Sequence, residues 1–269
     1  MFGSGAVELR ETTRKLIAQV ERQTGCTVAI IQDATLTTLS GINMACPERP
    51  GHLIRVHPSA PAGTDYYAVY YCRMIQRLYE NPPEERFILG YGEKGRYRVR
   101  KLIQHTPVAK LLGEVALLGV CEKLVGGLIT HLRSVPIGLR VDNWILAEHP
   151  ELAEMQKNTI QPQLQENSRS LNVRNGKNVR NMVPAEVFDA TMAINAAFAQ
   201  FWAEKWDQPE LTLPYKASGY VTAGTKLLTL FHDIPDSGRT DRALIDAWGV
   251  ALNVADWYLW VPYKGPQLG

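Results

Sequence analysis

Paired histidines, paired cysteines, long apolar runs and excess charge are all scarce in this chain, and each scarcity excludes a class of function. The six histidines are His52, His57, His105, His131, His149 and His232, and no two stand four apart, the spacing that sets two imidazoles on one helical face for zinc. His52 and His57 lie five apart in a strand-like segment and so point to opposite faces. The four cysteines, Cys26, Cys46, Cys72 and Cys121, are widely separated and form no CxxC pair, so they read as reduced thiols of an intracellular protein. The longest apolar run, Val115 to Ile129, is interrupted by Glu122 and Lys123 and predicts a buried helix rather than a membrane span. MFGSGAVELRE has no apolar core behind a basic start, so no secretion signal is expected. These readings together predict a cytoplasmic protein without a membrane partner.

A net charge of +2 over 269 residues does not demand a polyanionic partner, although local clusters matter more than the sum. With 45% hydrophobic and 21% charged residues, the composition is that of a globular protein able to bury a core without disulfides. GlyTyrGlyGluLysGly at 90–95 lacks the GxxxxGK[ST] of a phosphate loop and reads as a turn. HisAspIleProAspSerGly at 232–238 reads as a locally capped loop, because triad members meet from distant segments. No metal site and no cofactor are expected.

What is present centres on residues 65–80, DYYAVYYCRMIQRLYE. Tyr67, Tyr71, Met74, Ile75 and Leu78 recur at three- and four-residue spacing, the apolar stripe of an amphipathic helix. Tyr66, Tyr70, Arg73 and Arg77 form a more polar stripe beside it. Pro82 and Pro83 stop the helix, since proline lacks the amide hydrogen. Ahead of it, His52–His57 alternates like an edge strand, Cys26–Ile31 is a β-branched inner strand, Gln32–Gly51 contains a weak strand, and Val7–Gln23 is a helix.

Downstream, Glu84–Lys101 is a basic segment around a glycine turn. Pro107–His131 predicts a long helix whose Gly113, Gly119, Gly126 and Gly127 admit a close neighbour. Ser134-Val135-Pro136 breaks that helix, and Arg140–Ala147 starts a short one. Pro184–Trp206 is an alanine-rich helix and Thr240–Trp260 an amphipathic closing helix. The class is α+β and helix-rich: a small sheet with a central helix in 1–165, a basic polar connection at 166–182, and a helical part at 183–269 packed on the core.

This order of helix, inner strand, weak strand, edge strand and central helix resembles the zincin fold of HExxH metallopeptidases, including the ImmA/IrrE-like group. The resemblance implies an edge strand along a substrate groove and a central helix carrying the metal ligands. Its five motif positions fall on Tyr70, Tyr71, Cys72, Arg73 and Met74, and Asp142 matches a third, acidic ligand supplied by a later helix. Tyrosine and methionine cannot replace two zinc-binding histidines, and the general base is absent. A metal-free groove reused for ligand binding or metal-independent hydrolysis is therefore expected.

The candidate catalytic residues are Asp142, Tyr70 and Tyr71. A carboxylate beside Trp144 in an apolar pocket would have a raised pKa. The candidate substrate-binding residues are His57, Tyr66, Arg73, Met74, Arg77 and Trp144. Glu114 and Glu122, nearly on one face of an apolar helix, are expected to pair with Arg73 or Arg77. Aromatics stack on bases and arginines hold phosphates, so an alternative is a nucleic-acid-acting hydrolase such as a DNA glycosylase. Its backbone contacts would come from Arg96, Arg98, Arg100, Arg169, Arg174, Lys177 and Arg180. A third reading is a module that captures a peptide or protein along the edge strand.

Overall fold

The computed structural model describes residues 8–60, 63–171 and 182–266. Helix α1 (Glu11–Thr24) ends at Gly25, whose φ of 70° is the left-handed conformation that closes a helix without a Cβ clash. Strands β1 (Val28–Gln32), β2 (Ser40–Asn43) and β3 (His52–Val56) then form one small sheet. Within it β3 is central, parallel to β1 with Val28 opposite His52, and antiparallel to β2 with Ser40 opposite Val56. The segment expected at the edge is therefore the middle strand, while the weak segment before it and the β-branched segment expected inside, β1, are the two edges, and β1 is largely exposed. His52, Ile54 and Val56 are buried while Leu53 and Arg55 are only half-buried, and that alternation looks the same at either position.

Helix α2 (Gly63–Tyr79) follows and is tied to the start of α1, because Asp65 Oδ1 accepts from the Arg10 amide at 2.9 Å and from the Thr13 hydroxyl. Strand β4 (Phe87–Tyr91) and helix α3 (Glu93–Ile103) occupy the basic segment, and residues 90–95, expected to be a turn, end the strand and begin the helix. After α4 (Pro107–Leu111), helix α5 (Glu114–Glu148) runs 35 residues straight through Pro136. The expected break does not occur. Leu132, Val135, Ile137 and Leu139 are all buried around that proline, and packing on this scale outweighs the roughly 3 kcal/mol cost of proline in a helix. The other half of α5 departs from expectation the other way: Val115 is 86% and Leu118 41% exposed, so the apolar run is not wholly buried. By length and composition α5 is the one helix among the described residues apolar enough to cross a membrane.

Helices α6 (Ala153–Arg169), α7 (Ala185–Trp206), α8 (Leu213–Ala217), α9 (Val221–Asp233) and α10 (Asp241–Ala251) complete the helical part. The closing helix stops at Ala251, and its aromatic end becomes strand β5 (Tyr258–Pro262), antiparallel to β4 with Trp260 opposite Leu89. With 66% of residues helical beside two small sheets, the protein is α+β and helix-rich. The chain returns at β5 to a strand laid down near residue 90.

Two fully buried arginines hold α2, α5 and α10 together. Arg77 Nε and Nη2 donate to the two carboxylate oxygens of Asp241 at 2.8 and 2.6 Å, and Nη1 lies 2.8 Å from Asp236. Arg140 donates to Asp241 Oδ1 at 2.8 Å and to the carbonyls of Ile234 and Pro235 at 2.8 and 2.9 Å. Glu114 and Glu122, expected to reach Arg73 or Arg77, pair instead with Arg100 and Arg96 at 3.0 Å on the surface. Arg77→Ala leaves Asp241 short of a partner and should cost about 3–5 kcal/mol in urea unfolding. Arg73→Ala, removing a half-buried pair with Glu80, should cost about 1 kcal/mol or less.

Candidate functional site

The middle of α2 borders two adjoining cavities. The larger is a groove of about 680 Å³. Tyr70, Tyr71 and Met74 of α2 form its floor, Ser40–Ile42 of β2 one wall and Phe87–Leu89 of β4 another. Most of the groove's surface as a whole is apolar, with Ile137, Ile245 and Trp260 contributing, and Glu85 and Arg242 add charge to its lining. The smaller is a side pocket of about 200 Å³ lined by Tyr66, Tyr67, Tyr70 and Tyr71 of α2 and by His131 and Asp142 of α5. Ser40, Tyr70, Tyr71 and Ser134 line both spaces.

The tyrosines pack on one another, with rings of Tyr66 and Tyr67 5.2 Å apart and of Tyr70 and Tyr71 5.4 Å apart, both edge to face. The Tyr71 hydroxyl lies 3.1 Å from Ser40 Oγ and so pins β2 to α2. Gly138 lets α5 approach: a Cβ there would stand 2.7 Å from the Tyr70 hydroxyl. Gly113, Gly119 and Gly127, expected to serve that purpose, have nothing within 4 Å of such a Cβ.

Asp142 is 3% exposed. Its Oδ1 accepts from the Tyr66 hydroxyl and from Gln156 Nε2, each at 2.8 Å, and no hydrogen bond reaches Oδ2 among the described residues. Burial pushes its pKa up to about 6, while the hydrogen bonds from Gln156 and Tyr66 hold it down. Burial, then the nearby Asp142 charge, raises Tyr66 and Tyr70 well above the usual tyrosine value, so both stay protonated donors. Burial also lowers His131, which favours the neutral imidazole.

The structure brings Asp142, Tyr66, Tyr70, Tyr71 and Met74 to these cavities. Arg77 reaches the groove too, but its guanidinium is committed to Asp241 and Asp236. His57, Arg73 and Trp144 line neither cavity. His57 Nδ1 lies 2.7 Å from Ser59 Oγ in the loop after β3, and Arg73 pairs with Glu80 and stacks 5.2 Å from the Trp144 ring. Arg96, Arg98 and Arg100 are on α3, away from both cavities, and Arg169 pairs with Glu166 on the surface of α6. Arg174, Lys177 and Arg180 lie outside the described residues.

Sequence reasoning missed Ser40, His131, Ser134 and Arg133. Arg133 lines the groove and forms no ion pair or hydrogen bond among the described residues. A signal for the α5 members existed, because His131, Ser134, Gly138 and Asp142 stand at steps of three or four, one face of an unbroken helix. Breaking the helix at Pro136 concealed that face. Among the described residues, no group of three or more His, Cys, Asp or Glu is placed to hold a metal ion. No protein family, curated protein or solved structure matches this chain.

Asp142 generates a pH signature with a definite sign. Its carboxyl binds a proton more tightly folded, near pH 6, than at the ordinary value of 3.8, so its contribution favours the fold when protonated. That contribution is full below about pH 4 and is lost as pH rises through 6, in total about 3 kcal/mol. Asp142→Asn removes the titration. Its stability relative to the native protein should climb by about 2–3 kcal/mol between pH 4 and pH 7 in urea unfolding.

Proposed function

We propose that this protein is a metal-free, zincin-like binding protein whose groove takes an extended peptide segment alongside β2. The observation that carries this reading is the position of β2. Among the described residues it pairs with β3 on one side only, and it borders the groove with its own residues 40–42. An unpaired strand edge offers main-chain donors and acceptors to an incoming strand, and the apolar groove beside it receives alternate side chains.

Two further features support the zincin-like part of the reading. The chain runs α1, β1, β2, β3, α2, with the antiparallel strand at the edge nearest the groove. A later helix, α5, sets the acidic Asp142 against Tyr66, one turn before the position matching the first metal ligand. Where that resemblance implies a metal-bound water, this groove offers tyrosine hydroxyls and a thioether, which suit recognition rather than water activation.

The test is selection of peptides from a random twelve-residue phage-display library on the native protein, followed by fluorescence anisotropy. Enriched peptides should bind at least tenfold more weakly to Met74→Glu, which places a charge on the groove floor, with circular dichroism unchanged. Enrichment of the same peptides on Met74→Glu would overturn the proposal, as would no enrichment on the native protein.

A further inference from the structure

The side pocket combines four features not explained by its part in the fold. First, it holds a carboxylate that is 3% exposed and has one oxygen without a hydrogen-bond partner among the described residues. Second, four tyrosines line it, and neighbouring rings stand at 69° and 89° to one another, so the wall turns corners instead of presenting one flat face. Third, no compensating cation lines it among the described residues: His131 is the one basic side chain there, and burial favours its neutral form. Fourth, its volume of about 200 Å³ suits a single side chain rather than a base with its sugar.

An acid taken largely out of water normally ends up paired with a cation inside the protein, as the half-buried Asp241 is here with Arg77 and Arg140. Among the described residues Asp142 has only neutral donors, Tyr66 and Gln156, and both fall on the same oxygen. Aromatic rings attract a cation through their negative faces, and the attraction grows as water is excluded. From this geometry we infer that the side pocket is a binding site for an alkylammonium group, the end of a lysine-type side chain, with Asp142 Oδ2 as its counter-ion. The inference deepens the peptide-groove reading and rests on it for the source of that side chain. Tyr70, Tyr71, Ser40 and Ser134, shared by the two cavities, are where such a side chain would turn out of the groove. Arg133, in the groove and unpaired among the described residues, disfavours a second ligand cation there. The preference for a cation is therefore confined to the pocket and does not extend to the part of the groove beside Arg133.

The probe is n-butylammonium, with 1-butanol as its uncharged counterpart, titrated by NMR chemical shifts of the native protein. Butylammonium is too short to follow the groove, so this measurement reads the pocket even if peptide binding fails. At pH 8 it should bind at least tenfold more tightly than 1-butanol, with shifts confined to residues around Asp142. The preference should fall as pH drops below 6, where Asp142 takes up a proton. The other titratable groups facing it, Tyr66, Tyr67 and Tyr70 on α2, are raised above the usual tyrosine value, and His131 on α5 is lowered. At pH 8 Asp142→Asn should remove the preference while keeping the Tyr66 and Gln156 hydrogen bonds through its amide oxygen. Equal affinities for the two probes in the native protein would sink the inference whatever the variant does. A charge preference that survives in folded Asp142→Asn, or that grows towards pH 5, would do the same.

Discussion

The structure depends on a charge constraint: two guanidiniums, Arg77 and Arg140, buried to 2% and 1% exposure and sharing one carboxylate. Charges taken out of water must be met by partners of good geometry, and here every partner comes from a different part of the chain. Arg77 belongs to α2, Arg140 to α5, Asp241 to α10, and the carbonyls of Ile234 and Pro235 to the turn ahead of α10. Few arrangements of three helices satisfy all of these contacts, so the cluster orients α2 and α5 relative to each other. Residues two apart on a helix point about 200° apart, so Arg140 facing the α10 side leaves Asp142 facing the other way, towards Tyr66. The position of the candidate site follows from that of the ion cluster.

The two cavities divide their chemistry along α2. Towards its C-terminal half the helix offers Tyr70, Tyr71 and Met74 to an apolar groove beside β2, an edge strand of the small sheet. Towards its N-terminal half it offers tyrosine hydroxyls and rings to a buried acid. Tyrosine suits the junction because one side chain provides a large apolar surface and a hydrogen-bonding tip. The low dielectric that raises Asp142 also strengthens the hydrogen bonds it accepts, so the acid is costly to bury and firmly placed at once.

Much of the framework was legible from residue periodicity. The α2 helix and the alanine-rich helix at 185–206 lie where spacing and caps put them, and a strand does form at 28–32, although at an edge of the sheet and not inside it. Three local signals misled. Pro136 argues for a break that burial on every side overrides, and the alternation of β3 does not reveal which strands flank it. The polar stripe of α2 looks solvated, yet Tyr66 and Arg77 are buried, because their partners Asp142 and Asp241 lie 76 and 164 residues away. Neither partnership leaves a mark in local composition.

The sequence by itself determined the helix-rich α+β class, the central tyrosine helix and Asp142 as an acid worth watching. Those follow from short-range physics: period, propensity and the chemistry of single side chains. Only the tertiary structure decided that β2 is the edge along the groove, that Arg77 is an anchor and that His57, Arg73 and Trp144 stand outside the cavities. It alone placed His131, Ser134 and Gly138 on one face with Asp142. Such outcomes depend on which distant segments meet, and meeting is set by burial and charge pairing summed over the whole chain.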